Sequence, residues 1–525
     1  MIFDLHKEPP NCIIEKSTDV CIIGGGTAGI YLAQALHKKN INTILIELGG
    51  NSSIDADSAF QKPKFTATHY SGASLGRVAG LGGTSAKWGG QMISLSNSDF
   101  LNKNSLNENA AWPINSKDLH KYYEKVLNTL KMNDTKAYSF NNNKTAKLIS
   151  RSLLGDTFNL RSSSWIPFRK RNFAKNFHSI MKNSKNLEVW INTQFKSMVD
   201  AKWIGPSLQS LSFSGKNNRS LVVSSKLFVF TMGALESTRH ILPLTKKDSF
   251  KGELSTPFCD HISTSVGQLN IKNRAQFLEY FSPFYVGGIM RSMRFELNSV
   301  SQDRLMTSSA FVHFISVQKD GSALSIIRNL VRKLQGEKIK FDATHVNLFS
   351  ILKDMLLIIY WRIFRKKLIL NHGGSIEIVI DIEQRPNQIN RISSATNNLK
   401  LHWRVSEKDK SNVRKTAQAF MSGWSSSKEL LDLADVVIYP ESELNVANYY
   451  DVYHPTGSLP FGNSSDSSVL NQNLRVWETS NLYVSSTAIF PTGGSANPGL
   501  THLALTERLC DHISSKVLTT KTTKD

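Results

Sequence analysis

The sequence predicts an α/β fold with more than one domain. Its 525 residues exceed one ordinary domain and suit two. Residues 19–47 show the pattern of a strand, a glycine-rich turn, a helix and a second strand. The apolar runs at 306–317, 375–384 and 399–405 predict strands of a second sheet. Residues 116–130, which follow Trp112-Pro113, predict a capped helix between these two parts.

The first element is a dinucleotide-binding unit. The strand DVCIIG (19–24) runs into GGGTAG (24–29), then a helix, then the strand NTILIE ending at Glu47. Gly24 makes the tight turn, Gly26 lets a pyrophosphate approach the backbone, and Gly29 lets helix and strand pack closely. The phosphates are expected at the helix N-terminus, and Glu47 is expected to accept hydrogen bonds from ribose hydroxyls. This Rossmann-type unit does not separate NAD from FAD, and the chain has no second GxGxxG.

The second element is the segment GRVAGLGGTSAKWGG (76–90), in which six of fifteen residues are glycine. So many glycines predict a loop whose backbone comes very close to another group. A flexible linker is the competing interpretation. The embedded Arg77 and Trp88 favour a loop that cradles a cofactor.

Composition narrows the function classes. Four cysteines without a CxxC pair argue against a zinc site, an iron–sulfur cluster or a disulfide framework, and we expect no metal. The N-terminus has no apolar run of signal-peptide length, so we expect a cytoplasmic chain. A net charge of +21 could attract nucleic acid, anionic lipid or an acidic substrate. We expect no nucleic-acid partner.

Part of this positive charge lies between Arg328 and Lys367, around the apolar block 355–361. That block is too short to span a bilayer, which needs about 20 apolar residues. Two interpretations stay open. Segment 355–370 is either a helix lying in a membrane interface, which would make the protein peripheral at the membrane, or a helix of the second domain with a solvated basic side.

Three later segments complete the set of motifs: Asp260-His261, YHPTGS (453–458) and LYVSSTAIFPTGGSANPGLTHLAL (482–505). Together with GxGxxG, Glu47, the glycine loop and FVFTMGALESTR (228–239), they resemble the glucose–methanol–choline (GMC) family of FAD oxidoreductases. The resemblance runs in the same order from Asp19 to the final helix and is weak in the middle of the chain.

The resemblance implies a role for residues at matching positions. His454 matches the catalytic histidine and Asn497 its partner. Residues matching cofactor-binding positions, or lying in those motifs, are Gly24, Gly26, Thr27, Ala28, Gly29, Glu47, Gly82, Gly83, Thr84, Trp88, Phe195, Ala488 and Pro498. Lys87 stands where some members attach FAD through a histidine, so we expect FAD to be bound non-covalently.

The resemblance also implies interleaved domains. A Rossmann-type FAD-binding domain would comprise residues 1–110, 185–262 and 453–525. A substrate domain built on a mainly antiparallel sheet would comprise 111–184 and 263–452. Residues 263–375 are expected to define the substrate.

The expected function is therefore FAD-dependent oxidation of the CH–OH group of an alcohol or sugar, as a dehydrogenase or oxidase. His454 would act as base, because imidazole accepts protons near neutral pH, while a hydride passes to flavin N5. Two alternatives remain: an FAD-containing lyase of the same fold without net redox, and a membrane-surface flavin-binding protein. The electron acceptor could be oxygen, a quinone or a protein.

Overall fold

The computed structural model describes residues 1–101, 111–132, 144–245, 254–317, 326, 329, 348–369, 374–387, 389–395 and 398–522. Much of the basic stretch that begins at Arg328 lies outside these residues.

The strands, in chain order, are β1 Ile2–Asp4, β2 Ile13–Ile23, β3 Thr43–Ile46, β4 Ile54–Asp55, β5 Lys64–Phe65, β6 Val78–Ala79, β7 Gln91–Met92, β8 Phe158–Trp165, β9 Leu187–Ile191, β10 Gln194–Phe195, β11 Lys202–Ile204, β12 Ser207–Ser214, β13 Ser220–Phe230, β14 Leu254–Pro257, β15 His261–Ile271, β16 Phe284–Val286, β17 Ile289–Leu297, β18 Ala310–Val317, β19 Ser375–Glu383, β20 Arg391–Ala395, β21 Asn398–His402, β22 Ala434–Ile438, β23 Tyr450–Asp451 and β24 Leu482–Val484.

The α-helices are α1 Thr27–His37, α2 Ala56–Ala59, α3 Asn97–Phe100, α4 Ser116–Thr129, α5 Lys144–Ile149, α6 Leu153–Thr157, α7 Phe168–Arg171, α8 Phe173–Asn176, α9 His178–Asn183, α10 Gly233–Ile241, α11 Arg274–Phe281, α12 Ser299–Leu305, α13 Leu348–Tyr360, α14 Glu407–Ser425, α15 Lys428–Leu433, α16 Glu441–Val446 and α17 Gly499–Thr522. Short 3₁₀ turns lie at Leu5–Lys7, Ser71–Ala73, Gly83–Ala86, Leu242–Leu244 and Thr487–Ile489, and a π-helical turn at Trp361–Arg365.

The first sheet has a parallel centre. Its order is β1-β9-β3-β2-β13-β12-β10, with β24 also paired to β13. The pairs β1–β9, β9–β3, β3–β2, β2–β13 and β13–β24 are parallel. The central strand β2 ends in the run DVCII, buried as expected for a strand covered on both faces. This arrangement confirms the predicted Rossmann-type fold class.

The first and last helices pack together on this sheet. The Tyr31 hydroxyl on α1 donates to Glu507 on α17 at 2.9 Å, and Lys39 pairs with Asp511 at 2.7 Å. Helix α4 lies beside α17 and is capped by Asn115, as the sequence predicts. The C-terminal helix is thereby held against the helix that follows the N-terminal glycine turn.

The second large sheet is antiparallel, in the order β22-β15-β19-β18-β17-β8-β7. The three predicted strands are confirmed as β18, β19 and β21, although β21 lies in a smaller sheet with β14, β20 and β5. One face of the antiparallel sheet is apolar and packs on α14, with Ile262, Ile380, Val312 and Phe295 in the same core as Phe420.

The opposite face of this sheet is polar, because strand side chains alternate between faces. Ser263, Asp381 and Arg294 are each adjacent in sequence to one of these core residues and therefore lie on the polar face. The Asp381 carboxylate accepts from the Ser263 hydroxyl at 2.7 Å and from the Arg294 guanidinium at 2.8 Å. Each of the chain segments assigned above to the two predicted domains supplies strands to these sheets. The residue boundaries of the two domains stay a prediction.

Candidate active site

The glycine turn joins β2 to α1. A Cβ added to Gly29 would lie 1.9 Å from the Gly24 carbonyl oxygen, and Gly24 has a φ of +112°. The chain's own packing therefore requires glycine at both positions. Gly26 differs, because a Cβ there would meet its nearest atom, the Thr231 oxygen, only at 4.0 Å. Open space thus lies beside Gly26 at the start of α1.

The N-terminus of α1 has no side-chain cap. Gly26 occupies the capping position and offers no side-chain acceptor to the first backbone N–H groups of the helix. These N–H groups and the helix dipole favour a bound anion. An uncapped helix beside open space is the arrangement that a pyrophosphate would fill.

The glycine loop meets this turn. A Cβ on Gly83 would approach the Gly26 Cα to 2.9 Å, so only glycine allows this contact. The hydroxyls of Thr84 and Thr27 lie 3.5 Å apart. Gly82, with a φ of +98°, begins the short turn that positions Gly83 and Thr84 beside the first loop. The structure therefore brings the two predicted cofactor loops together.

Glu47 follows β3 and is buried at the junction of these loops. Its Oε2 accepts from the Gly25 N–H at 2.8 Å. Its Oε1 accepts from the N–H groups of Gly49 at 2.9 Å and Gly80 at 2.8 Å. Burial raises the pKa of Glu47, and these three hydrogen bonds oppose the rise. Each carboxylate oxygen has two acceptor sites, so Oε2 can still accept from a hydroxyl.

The other predicted cofactor residues lie in separate places. Trp88 donates from Nε1 to the Arg171 carbonyl at 2.9 Å and borders Gly499 at the start of α17. Phe195 packs its ring on Phe230 and His240. The Ala488 carbonyl accepts from a backbone N–H at 2.9 Å, and the Pro498 carbonyl does so at 2.8 Å. Ala28 is buried within α1.

His454 lies on the HPTG segment and contacts a second histidine. Its Nδ1 is 3.0 Å from the Nδ1 of His261. Its backbone N–H donates to the buried Asp260 carboxylate at 2.9 and 3.0 Å. That carboxylate also accepts from the Tyr70 hydroxyl at 2.5 Å and from the His261 N–H at 2.6 Å. Tyr453 has a φ of +65°, an uncommon conformation for this residue type.

The partners of His261 decide where the protons lie. Its Nε2 is 2.6 Å from the Gly494 carbonyl oxygen, which can only accept, so Nε2 carries the hydrogen. In a neutral His261, Nδ1 is then an acceptor, and the Nδ1 of His454 must donate to it. A neutral His454 consequently has its lone pair on Nε2. Burial lowers the pKa of both rings, that of His454 to about 3 with His261 adding to the effect, so both are neutral at pH 7.

Asn497 lies on the loop that supplies this carbonyl. The loop is attached to the antiparallel sheet, because the Gly494 N–H donates to Glu383 at 2.8 Å and Ser309 donates to Ser495 at 2.9 Å. Asn497 is half-buried, and within the part of the chain that the structure describes its carboxamide has no hydrogen-bond partner. The group can therefore bind a ligand oxygen.

The sequence does not indicate the role of two members of this site. His261 lies in the Asp260-His261 motif, but nothing in the sequence indicates its contact with a histidine 193 positions away. Tyr70 carries no sequence signal. The Lys87 ammonium, at the position discussed above for covalent attachment, lies 2.7 Å from Asp55.

Part of the chain matches a known protein family. Residues 386–506 match the family model described as GMC oxidoreductase. This C-terminal part of the chain is therefore similar to the GMC oxidoreductases. The match covers the HPTG segment, Asn497 and the first part of α17, and it confirms the resemblance predicted from the motifs. No curated protein sequence matches the chain.

Solved structures share the fold of this chain. Pyridoxine 4-oxidase from Mesorbium loti aligns with a TM-score of 0.58 at 15% identity, covering 94% of this chain and 99% of its own. A formate oxidase variant from Aspergillus oryzae, studied for its effect on FAD modification, aligns with a TM-score of 0.58 at 13% identity, covering 96% and 99%. At these identities, the likeness establishes the fold alone.

The GMC family depends on FAD. The residues present fit that cofactor, because the uncapped helix and the space beside Gly26 suit its pyrophosphate. The spare acceptor on Glu47 suits a ribose hydroxyl. These comparisons support FAD-dependent oxidoreductase activity for this protein.

Proposed function

We propose that this protein oxidises the CH–OH group of an alcohol or sugar, with His454 as the base. One observation supports this role most directly. The contact between the two Nδ1 atoms, together with the Gly494 carbonyl, fixes the hydrogen of neutral His454 on Nδ1. Its Nε2 is therefore free of hydrogen and able to take a hydroxyl proton.

The chain's residues divide the work. FAD, when bound, would accept the hydride. His454 would take the hydroxyl proton at Nε2, and the Asn497 carboxamide would hold the alcohol oxygen without a change of charge. Asp260 holds the backbone of His454 in place through its N–H group. The neighbours are oxidases by name, which supports testing oxygen first as the electron acceptor.

We propose further that FAD is bound non-covalently. The Lys87 ammonium is paired with Asp55 and is no substitute for the imidazole that forms the histidyl bond in some relatives. Denaturing the holoenzyme should release all flavin absorbance into the supernatant. Yellow colour retained on the precipitated polypeptide would contradict this proposal.

The decisive experiment is anaerobic bleaching of the bound flavin by sugars, polyols, sterols and aliphatic alcohols. With an active substrate, His454→Ala should slow flavin reduction by about 10²–10⁴-fold, the usual contribution of a general base, while FAD stays bound. His178→Ala, which changes an exposed histidine on α9, is the matched control and should reduce at the normal rate. Near-normal bleaching in His454→Ala would defeat the proposed role. Turnover of substrate without any bleaching would instead indicate the lyase alternative.

A further inference from the structure

Helix α13 and the following π-helical turn Trp361–Arg365 expose a large apolar surface. Exposed apolar residues on this segment, with their exposed fractions, are Leu352 58%, Met355 41%, Leu356 61%, Leu357 38%, Ile359 47%, Tyr360 47%, Ile363 61% and Phe364 70%. Soluble monomers rarely leave so many large apolar side chains in one contiguous exposed patch. We call this set the apolar surface of α13.

The segment is fixed to the protein at its C-terminal end. The Tyr285 N–H donates to the Lys366 carbonyl at 2.7 Å, and the Leu368 N–H donates to the Pro283 carbonyl at 2.7 Å. The Arg362 guanidinium lies 3.4 Å from the Tyr285 ring centre. Strand β16, which contains Tyr285, is an edge of the antiparallel sheet. The apolar surface of α13 therefore lies at the edge of the antiparallel sheet.

The width of the surface indicates what could cover it. At 3.6 residues per turn, the exposed apolar side chains between Leu352 and Tyr360 occupy an arc of about 200° around the axis of α13. Among the residues of α13 whose burial the structure describes, Asp354 and Ile358 lie on the remaining side and are less exposed. A helix that docks on a protein core typically presents an apolar stripe of roughly 100°. Twice that width suits immersion in an apolar medium better than contact with one flat partner.

The surrounding charge indicates which medium. Lys353, Arg362, Arg365 and Lys366 are exposed within or directly after the segment, and the whole chain carries +21. Each basic side chain near an anionic bilayer contributes about 1 kcal/mol of attraction. Tyr360 and Trp361 suit the boundary between headgroups and acyl chains. Within the described ranges, every helix is too short or too polar to cross a bilayer.

We propose that α13 and its π-helical turn insert their apolar surface into an anionic phospholipid bilayer. The protein would then dock peripherally, with the edge of its substrate-side sheet beside the lipid. This position would give the site access to a membrane-dissolved substrate or acceptor. The docking does not depend on the proposed oxidation, because vesicle binding is measured on the protein itself.

The test is co-sedimentation of the full-length holoenzyme with phosphatidylcholine vesicles, with and without phosphatidylglycerol, at low salt. The wild-type protein should sediment only with the anionic vesicles. The double variant Leu356→Glu/Phe364→Glu should bind at least about tenfold more weakly, since two apolar contacts become charges. Lys353→Glu/Arg365→Glu should weaken binding by a similar factor.

Val199→Glu is the matched control for the apolar double variant, because Val199 is 89% exposed and lies beside the other large sheet. Lys202→Glu/Lys216→Glu, which changes two exposed lysines, is the matched control for the charge variant. Both should sediment like the wild type, and all variants should retain flavin absorbance. Failure of the wild type to bind anionic vesicles would overturn the proposal. An equal loss of vesicle binding in the control variants would also overturn it. So would concentration-dependent dimerisation of a wild type that binds no vesicles, if Leu356→Glu/Phe364→Glu abolished that dimerisation.

Discussion

Two histidines whose Nδ1 atoms face each other can share only one hydrogen when both are neutral. In this protein the Gly494 carbonyl removes the ambiguity, because it must receive the Nε2 hydrogen of His261. His261 is thus a positioning residue that directs the lone pair of His454 to Nε2. The low pKa keeps the ring neutral at pH 7, which is the form that can accept a proton, and it also makes the ring a weaker base than free imidazole.

Replacing His261 tests this arrangement at the level of one atom. In His261→Asn, the carboxamide oxygen can occupy the position of Nδ1 and still accept from His454, whereas His261→Ala removes the acceptor altogether. We expect the rate of flavin reduction to be about tenfold higher in the asparagine variant than in the alanine variant. A factor of about ten corresponds to the free energy of one hydrogen bond. Stopped-flow absorbance at saturating substrate measures both rates. Equal rates in the two variants would show that the acceptor at Nδ1 is unimportant.

The pH dependence of flavin reduction follows from the pKa of His454. Burial, reinforced by His261, lowers this pKa to about 3, although Asp381 partly opposes the change and Arg294 adds to it. Because a lowered pKa keeps the imidazole neutral, the base remains competent until the pH falls towards that value. We expect His454 itself to cause no inflection in the rate between pH 8 and about pH 5. An inflection near 6.5, the ordinary value for histidine, would contradict this expectation. His261→Ala should move any acidic inflection upward.

At the scale of elements, the turn between β2 and α1 contains glycines of two kinds. Gly29 is required because another chain atom occupies the Cβ position, and Gly26 is not required by any nearby chain atom. We expect Gly29→Ala to lower the stability of the apoprotein by about 2 kcal/mol, through overpacking. Gly26→Ala should leave apoprotein stability unchanged but weaken FAD binding at least about tenfold. Urea unfolding and flavin titration separate the two effects.

The matched pair also distinguishes a cofactor site from a structural turn. If Gly26→Ala bound FAD normally, the space beside the helix N-terminus would not hold the pyrophosphate. If Gly29→Ala were as stable as the wild type, the turn would have to differ from the one described.

Elements set by local pattern were predictable from the sequence. The glycine turn needs a strand, a φ of +112° at Gly24 and a helix, and all three leave signatures within a few residues. The strand predicted at 375–384 is observed as Ser375–Glu383 for the same reason. The contact between His454 and His261 could not be predicted, because it depends on how distant segments pack. For the segment 355–370, periodicity alone could not decide which of its faces the protein covers.

At the scale of the whole molecule, the antiparallel sheet separates an apolar core from a polar face. On that face, burial opposes ionisation of Asp381, but His313, Arg294 and Ser263 outweigh it and hold the pKa of Asp381 well below its usual range. The charged carboxylate therefore stabilises the folded state at neutral pH, and this contribution is lost as the pH falls through the folded pKa.

Asp381→Asn should reveal this contribution. The variant leaves the buried Arg294 without its charged partner, and we expect a loss of about 3 kcal/mol in unfolding free energy at pH 7. The difference from the wild type should be largest above the unfolded pKa of about 4 and should narrow as the pH falls below it. Urea midpoints measured across pH give this difference directly. A gap that stayed constant with pH would contradict an electrostatic origin.

The packing of α17 against α1, with β24 beside β13, has a consequence for biosynthesis. The glycine turn leaves the ribosome before the histidine of HPTG and before α17, which packs on α1. A nascent chain therefore displays the glycine turn and α1 before α17 can pack beside them. We expect flavin loading to begin only once the carboxyl-terminal helix has emerged and closed over the first, so that supply of the vitamin-derived cofactor governs maturation after synthesis rather than during it.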